Sequence, residues 1–258
     1  MFNGSLKISY RTPSELSVDE KATIWSLFQG AAFATREAYE ASVAGMDEIF
    51  LVRKRGAIVG FGGIKFIEVT YKARKHLLIY TGRVFFEPSV RGRMVAPRAG
   101  IRTFFKQLLK NPFRPCYWFF ASGTLSSYLV MAKNFKSCWP YPDKKWPEKE
   151  EFLRDAGIQV IDPIGQPDPE TGTYPVPDGI IYKSVPKRLH ATPQTDALIA
   201  YYAGLNPRTD FGDGVFCLAP LSLRNWISVF SYAIPSAIKA GLRRPAKPVR
   251  GNAVNVDF

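Results

Sequence analysis

Three strand-like runs follow one another almost without interruption: EIFLVRKR (48–55), AIVGFGGIKFIEV (57–69) and HLLIYTGRVFFEP (76–88). Gly56 alone separates the first from the second, and the basic turn YKARK separates the second from the third. Connections this short join antiparallel neighbours, because a parallel pair needs a crossover of a dozen residues or more. The middle of the chain is therefore committed to a meander. Its third run is almost continuously apolar, as a strand covered on both faces should be. In the second run, Gly60, Gly62 and Gly63 read as a bulge or as places where another group approaches the backbone closely.

Helical patterns flank the meander. LKISY (6–10) alternates like a half-buried strand, and SVDEKATIWSLFQGAAF follows with Ser17 as N-cap and Glu20 at capping-box spacing. TREAYEASVAG (35–45) reads as a short helix closed by Gly45. After the meander, Ile101, Phe104, Phe105, Leu108 and Leu109 fall at helical spacing, with Arg98, Arg102, Lys106 and Lys110 on the other side, until Asn111-Pro112 ends the pattern. CYWFFA (116–121) is a buried strand, and TLSSYLVMAKNF (124–135) a helix capped near Thr124 or Ser126. A Pro-rich stretch, 139–178, carries a helix at 147–157, and GIIYKSV (179–185) is expected to be the last sheet strand.

Beyond residue 190 the pattern changes to a helix at 193–204, the apolar run VFCLA and an amphipathic segment at 222–240 interrupted by Pro235. In that segment Leu223, Trp226 and Ile227 fall on the apolar side. The expected architecture is α/β: a mixed, mostly antiparallel sheet flanked by helices in residues 1–190, with a C-terminal helical extension in 191–258.

Charge narrows the partners. The 258 residues carry 35 Lys+Arg against 22 Asp+Glu, a net +13, which favours anionic partners. Cys116, Cys138 and Cys217 are odd in number and show no CxxC spacing, so neither a disulfide framework nor a zinc site is expected. MFNGSLKISYR lacks the apolar core of a signal peptide, and no apolar run reaches the ~18 residues of a spanning helix. The expectation is a cytoplasmic protein, at most peripheral to a membrane.

The chemistry concentrates in EPSVRGRMVAPRAG (87–100), where a strand ends, a basic turn follows and a helix opens. Free N–H groups and the helix dipole make such a turn a place for phosphate, arginines add charge-assisted bonds, and glycine lets the backbone approach. Here the chain resembles the GNAT superfamily of acyl-CoA-dependent N-acyltransferases, whose R/Q-x-x-G-x-G/A signature opens the third helix. Arg91-Gly92-Arg93-Met94-Val95-Ala96 lies in that frame after Glu87-Pro88, with Ala96 at the last place and Met94 where glycine is usual. AIVGFGG is similar to the family's third strand, and SSYLVMAKNF to its later helix, with Asn134 where glycine is common. The likeness runs over roughly residues 6–185.

The resemblance implies that backbone amides from Arg93, Met94, Val95 and Ala96, with Arg91 and Gly92, hold the pyrophosphate of an acyl-CoA or phosphopantetheine thioester. That thioester would be a co-substrate; no permanently bound cofactor and no metal is implied. Edge groups of the strand Tyr80–Phe86, Phe85 and Phe86 among them, would pair with pantetheine amides where the strand diverges from CYWFFA. Met94 fits the cradle if its φ is negative and is strained if positive. The amine attacks the thioester directly, so a base and an acid are sought. The candidates are Glu87 at the strand end, Tyr80 in the central strand and Tyr128 in the later helix. Each has a plainer reading: Glu87 as an ion-pair partner of Arg91 or Arg93, the tyrosines as core. His76 is expected to be exposed and is not chosen.

The partners implied are an amine acceptor and, from the +13 charge and the extension, an acidic acyl carrier protein of the kind used by the N-acyl amino acid synthase-like branch. Residues 222–250 combine the amphipathic segment with a basic run, which suits either packing over the sheet or peripheral contact with an anionic membrane. Two other readings stay open: a catalytically inactive binding module on the same fold, and a basic membrane- or nucleic-acid-binding protein. Nucleic acid is disfavoured, because the aromatics fall in runs of buried character rather than in a basic groove.

Overall fold

The computed structural model describes residues 6–90, 95–162, 167–168, 173–175, 181–182, 196–209 and 213–229, and for residues 96, 97, 181 and 182 the backbone alone. The elements in chain order are β1 (Leu6–Arg11), α1 (Val18–Ala31), β2 (Ala32–Phe33), α2 (Arg36–Ala44), β3 (Glu48–Lys54), β4 (Ala57–Tyr71), β5 (Arg74–Phe86), α3 (Val95–Lys110), β6 (Cys116–Ser122), α4 (Leu125–Asn134), α5 (Glu148–Ile161), β7 (Ile181–Tyr182), α6 (Ala197–Leu205) and β8 (Val215–Pro220). A last helix, α7, spans 223–229.

The meander forms as its spacing requires. The main sheet has the order β1-β3-β4-β5-β6-β8, antiparallel throughout except for the parallel pair β5 and β6, which α3 connects. Local chemistry starts the helices where the sequence places them. The Ser17 hydroxyl accepts from Glu20 N at 3.1 Å while the Glu20 carboxylate accepts from Ser17 N at 3.0 Å, and Thr124 caps α4 by accepting from Ser127 N.

Period-two alternation sorts the strand residues between two cores. Phe50, Ile64, Leu77, Ile79 and Phe120 face a layer holding α3, α4, α6 and α7; Leu51, Phe61, Leu78, Tyr80 and Phe119 face one holding α1, α2 and α5. Leu77 to Tyr80 are all buried, so β5 is covered on both faces as its composition requires. The glycines of β4 mark close approach: a Cβ at Gly62 would meet the Phe50 ring at 2.4 Å, and one at Gly63 would meet Met46 at 2.7 Å. The ladder also shifts register between Val52 and Arg53 and between Phe61 and Gly63.

Four expectations need correction. GIIYKSV does not supply the last strand of the main sheet: Ile181–Tyr182 pairs with Ala32–Phe33 in a separate two-stranded sheet. The sixth strand is VFCLA, whose Phe216, Cys217, Leu218 and Ala219 are all buried; a run apolar on both faces carried that signal. Residue 190 therefore has main-sheet strands on both sides of it.

On α3, Phe105 and Leu109 are exposed, at 48% and 84%, although they lie in the apolar stripe. The buried face turns instead through Val95, Ala99, Thr103 and Gln107, whose polar groups are satisfied where they are buried: the Thr103 hydroxyl donates to Ala99 O at 3.2 Å and Gln107 Oε1 accepts from Arg114. His76, expected at the surface, is 2% exposed and packs beside Tyr117. In α7 the stripe splits: Trp226 is buried against Phe104, whereas Leu223 and Ile227 are exposed. Among the described residues no helix is long and apolar enough to cross a membrane.

Candidate functional site

The site begins where β5 and β6 part. Their ladder covers Leu77↔Cys116, Leu78↔Tyr117, Ile79↔Trp118 and Tyr80↔Phe119. β5 then runs on to Phe86 along β4, while β6 continues to Ser122 along β8. Among the described residues no strand pairs with the β6-side edge of Thr81–Phe86, which leaves a fork lined with backbone donors and acceptors. At its root the Trp118 indole N–H donates to the Thr81 hydroxyl at 2.8 Å, tying the two strands one residue past the last paired position.

A bulge reshapes β5 inside the fork. Register passes from Phe61↔Phe85 to Gly63↔Gly82, so β5 carries an extra residue, and Arg83 has the left-handed φ of +55°. Simple alternation would put residue 83 on the α3 face with Leu77 and Ile79. Val84 takes that place instead, and the Arg83 side chain turns to α2, where its Nε donates to Ser42 Oγ at 3.0 Å. Arg83 is 7% exposed. Nearby, the Tyr80 ring folds over Gly82: a Cβ there would lie 2.8 Å from the ring and 2.9 Å from the phenol oxygen. Glycine is required at 82 for that ring to occupy this place.

The sequence candidates divide. Tyr80 lies at the last paired position, its phenol beside the bulge, and is buried with its ring against Phe119. Phe85 and Phe86 belong to the unpaired stretch and are half-buried; their rings pack on Phe61 and Phe50, so what they offer the fork is backbone. Glu87 follows at the strand end, half-exposed, its carboxylate accepting from Ser89 Oγ at 3.4 Å. Val95 is buried in the first turn of α3, whose chain direction leads away from the strand end at 86–90. Arg91, Gly92, Arg93 and Met94 lie outside the described residues, as does the side chain of Ala96.

Tyr128 is placed elsewhere. It is fully buried, stacked on Tyr202 at 5.1 Å, with its hydroxyl directed to Pro140 O at 3.4 Å. Burial drives its phenol well above the ordinary tyrosine range, and its ring packs in the core among α4 and α6. Its neighbour Tyr202 donates to Ser122 O at 3.1 Å and accepts from Asn206, and Asn206 also donates to Asp213 O. This buried network fastens α6 to the end of β6.

Sequence reasoning missed Arg83, Ser42 and Tyr39. The signal was an arginine inside IYTGRVFF, a run otherwise free of charge. Tyr39 is 2% exposed, packed between Phe28 and Trp25, and its hydroxyl has no hydrogen-bond partner. Burial raises its phenol above the usual range, and the Arg83 guanidinium pulls the other way.

No protein-family model and no curated protein matches the chain. Among solved structures it is similar to Escherichia coli ElaA, at 16% identity over 54% of this chain and 95% of that one, with a TM-score of 0.35. An aminoglycoside acetyltransferase from an uncultured soil metagenomic sample matches at 18% identity over 55% of this chain and 98% of that one, with a TM-score of 0.36. A probable N-acyltransferase from Enterococcus faecalis V583 matches at 12% identity over 60% of this chain and 43% of that one, with a TM-score of 0.37. Likenesses this distant assign no activity; the fork and its residues have to carry the functional reading.

Proposed function

We propose that the chain is a GNAT-type acyltransferase that moves an acyl group from an acyl-CoA or carrier-protein thioester to an amine. The observation that carries this is the fork: a ladder that stops after Tyr80↔Phe119 and leaves the edge of Thr81–Phe86 without a partner strand. An extended pantetheine arm carries two amides, and such an edge can complete them as a strand would. The strand then leads through 87–90 towards the opening of α3, where a pyrophosphate suits the motif Arg91–Ala96.

In this reading the amine nitrogen attacks the thioester carbonyl carbon, the C–S bond breaks, and the proton lost by the amine ends on the leaving sulfur. Glu87 accepts the proton the amine loses and Tyr80 gives its own phenol proton to the leaving sulfur; exchange with solvent then reprotonates Tyr80 and deprotonates Glu87, so the net transfer is one proton from nitrogen to sulfur. An acidic acyl carrier protein fits the net charge of +13 as a donor carrier.

A thermal-shift series with CoA, acetyl-CoA, palmitoyl-CoA and an acyl carrier protein tests the reading, repeated on Arg91→Glu. A ligand at about 100 times its Kd adds about 2.7 kcal/mol, which for a chain of this size raises Tm by about 5–10 °C. That rise with a CoA species, lost in Arg91→Glu, is the expected result; stabilisation by the carrier protein alone moves the donor to carrier-borne acyl groups. Binding of CoA without turnover of any amine favours a binding module, and no shift with any of the four defeats the proposal.

A further inference from the structure

Two departures from the helical pattern fall on the same side of the main sheet. On α3, Phe105 and Leu109 stand exposed, and so does Phe113 just past the helix. On α7, Leu223 and Ile227 are 77% and 60% exposed, one turn apart, while Trp226 is buried. These helices are neighbours. Trp226 packs on Phe104 of α3 at 5.4 Å, and Asn225 ties α7 to the chain just past α4, accepting from Ser137 N at 2.9 Å and donating to Ser137 O at 2.8 Å. Single exposed apolar residues are ordinary, but several on adjoining helices mark an interaction face.

Charge says what kind of partner. The helices of this layer, α3, α4, α6 and α7, carry Arg98, Arg102, Lys106, Lys110, Lys133 and Arg224, and no Asp or Glu. Across the sheet, α1, α2 and α5 carry eight Asp and Glu against four Lys and Arg. Lys106 pairs with Glu48, Lys133 pairs with Asp196, and Arg102 lies over the Tyr10 ring at 4.1 Å. Among the described residues Arg98, Lys110 and Arg224 have no acid partner. A groove of about 1230 Å³ opens between α4 and α7, apolar through Val130, Phe135 and Ile227, with Lys133, Lys136 and Arg224 as its charged lining.

We propose that the face built by α3, α4 and α7 docks on an anionic lipid surface. Leu109, Leu223 and Ile227 enter the boundary between headgroups and acyl chains, and the lysines and arginines around them meet lipid phosphates and carboxylates. An acidic protein would complement the charge equally well. The apolar side chains decide for lipid: Leu109, Phe113 and Leu223 stand out from the molecule between cations, and a bilayer accepts such protrusions without a pocket shaped for each. The bias continues along the chain, since residues 230–258 after α7 hold five Lys and Arg against one Asp.

Vesicle sedimentation with the full chain tests this, with phosphatidylcholine alone and with phosphatidylcholine mixed with phosphatidylserine. The expected result is binding to the mixed vesicles only, weakening as salt rises. Leu109→Glu and Leu223→Glu each lower the partition coefficient by about ten-fold or more, and Lys110→Gln and Arg224→Gln each by about five-fold. Val18→Glu, on α1 across the sheet and 82% exposed, leaves it unchanged. Cys116, Cys138 and Cys217 are all buried, so an environment-sensitive fluorophore on Leu109→Cys reports the face alone. Its emission shifts to the blue with mixed vesicles, and the same label on Val18→Cys does not shift.

Binding that Leu109→Glu and Leu223→Glu leave unmoved assigns the lipid contact to the basic run at 239–250 and overturns the face. Equal binding to both kinds of vesicle, or to neither, overturns the proposal. Capture of an acidic acyl carrier protein without vesicle binding, lost in Arg224→Gln, makes the face a protein interface and overturns it too. If Leu223→Glu fails to fold, Lys110→Gln and Arg224→Gln decide. None of these outcomes depends on acyl transfer.

Discussion

Left-handed backbone occurs in the turn just before β5 and again near the end of β5, and the two places differ in everything but the dihedral. Before β5, Lys72 and Ala73 turn the chain back from β4 with φ of 44° and 62°, and the residues around them are largely exposed. Near its end, Arg83 at 55° sits in a bulge, buried, with a hydrogen bond to another element. Each L-residue in this conformation costs about 1–2 kcal/mol. At the turn the hairpin geometry alone demands it, since two-residue hairpin turns need positive φ. At the bulge the same cost redirects one side chain from one face of the sheet to the other. Strain by itself marks nothing; strain that re-aims a buried charge does.

The largest effect that would sharpen this contrast is expected between the two places. Gly82→Val puts side-chain atoms into the Tyr80 ring, and overpacking of this kind costs about 1–3 kcal/mol. Urea denaturation should show that loss, and the CoA-induced rise in Tm should vanish with it. Arg83→Gly comes next: it relieves the backbone but removes a charged hydrogen bond worth about 1.5–3 kcal/mol. A net loss of about 1 kcal/mol is expected. A net gain would mean that the bulge, like the turn, is backbone only.

His76, on the paired half of β5, gives a pH test. Burial chiefly, and then Lys149 and Arg74, hold its imidazole below the ordinary value of 6.5. The unfolded chain therefore takes up the proton first, and stability is full above about pH 6.5 and falls as pH drops through and below it. Denaturation midpoints between pH 8 and pH 5 should fall more steeply for the wild type than for His76→Gln. Ala73→Gly is the smallest: relief of φ strain, offset by glycine's extra unfolded-state entropy, leaves a gain of about 0.5 kcal/mol. Ligand-induced shifts should not change.

Much of the scaffold was legible, for local reasons. Short turns forced the meander, Ser17 with Glu20 set the start of α1, and an unbroken apolar run announced that β5 is covered on both faces. Where local chemistry was silent, the reading failed. GIIYKSV and VFCLA both read as strands, and the partner strand, a tertiary matter, set Ile181–Tyr182 beside Ala32–Phe33 and Val215–Pro220 beside β6. His76 stood in a basic turn pattern, yet α5 brings Glu150 and Lys149 over it. Residues 91–94 of the turn motif lie outside the described residues; of the candidate site, the sequence pointed to the strand and to Tyr80 at the fork's root. It could not show that a bulge would flip Arg83 across the sheet, because alternation counted from Leu77 puts residue 83 on the wrong face. Tyr128, chosen for its place in the later helix, is fully buried against Tyr202.

The placement of β8 has a consequence for how this chain is made. The strand that covers the outer edge of β6 is supplied by residues 215–220, nearly a hundred positions after β6 itself. A ribosome releasing the chain from its N-terminus lets the first five strands of the sheet meet while the edge of CYWFFA still shows open backbone groups to its surroundings. That edge, aromatic and uncharged, is the kind that recruits other strands. Synthesis paused, or cut short, before residue 220 should therefore yield aggregates rather than a smaller folded protein.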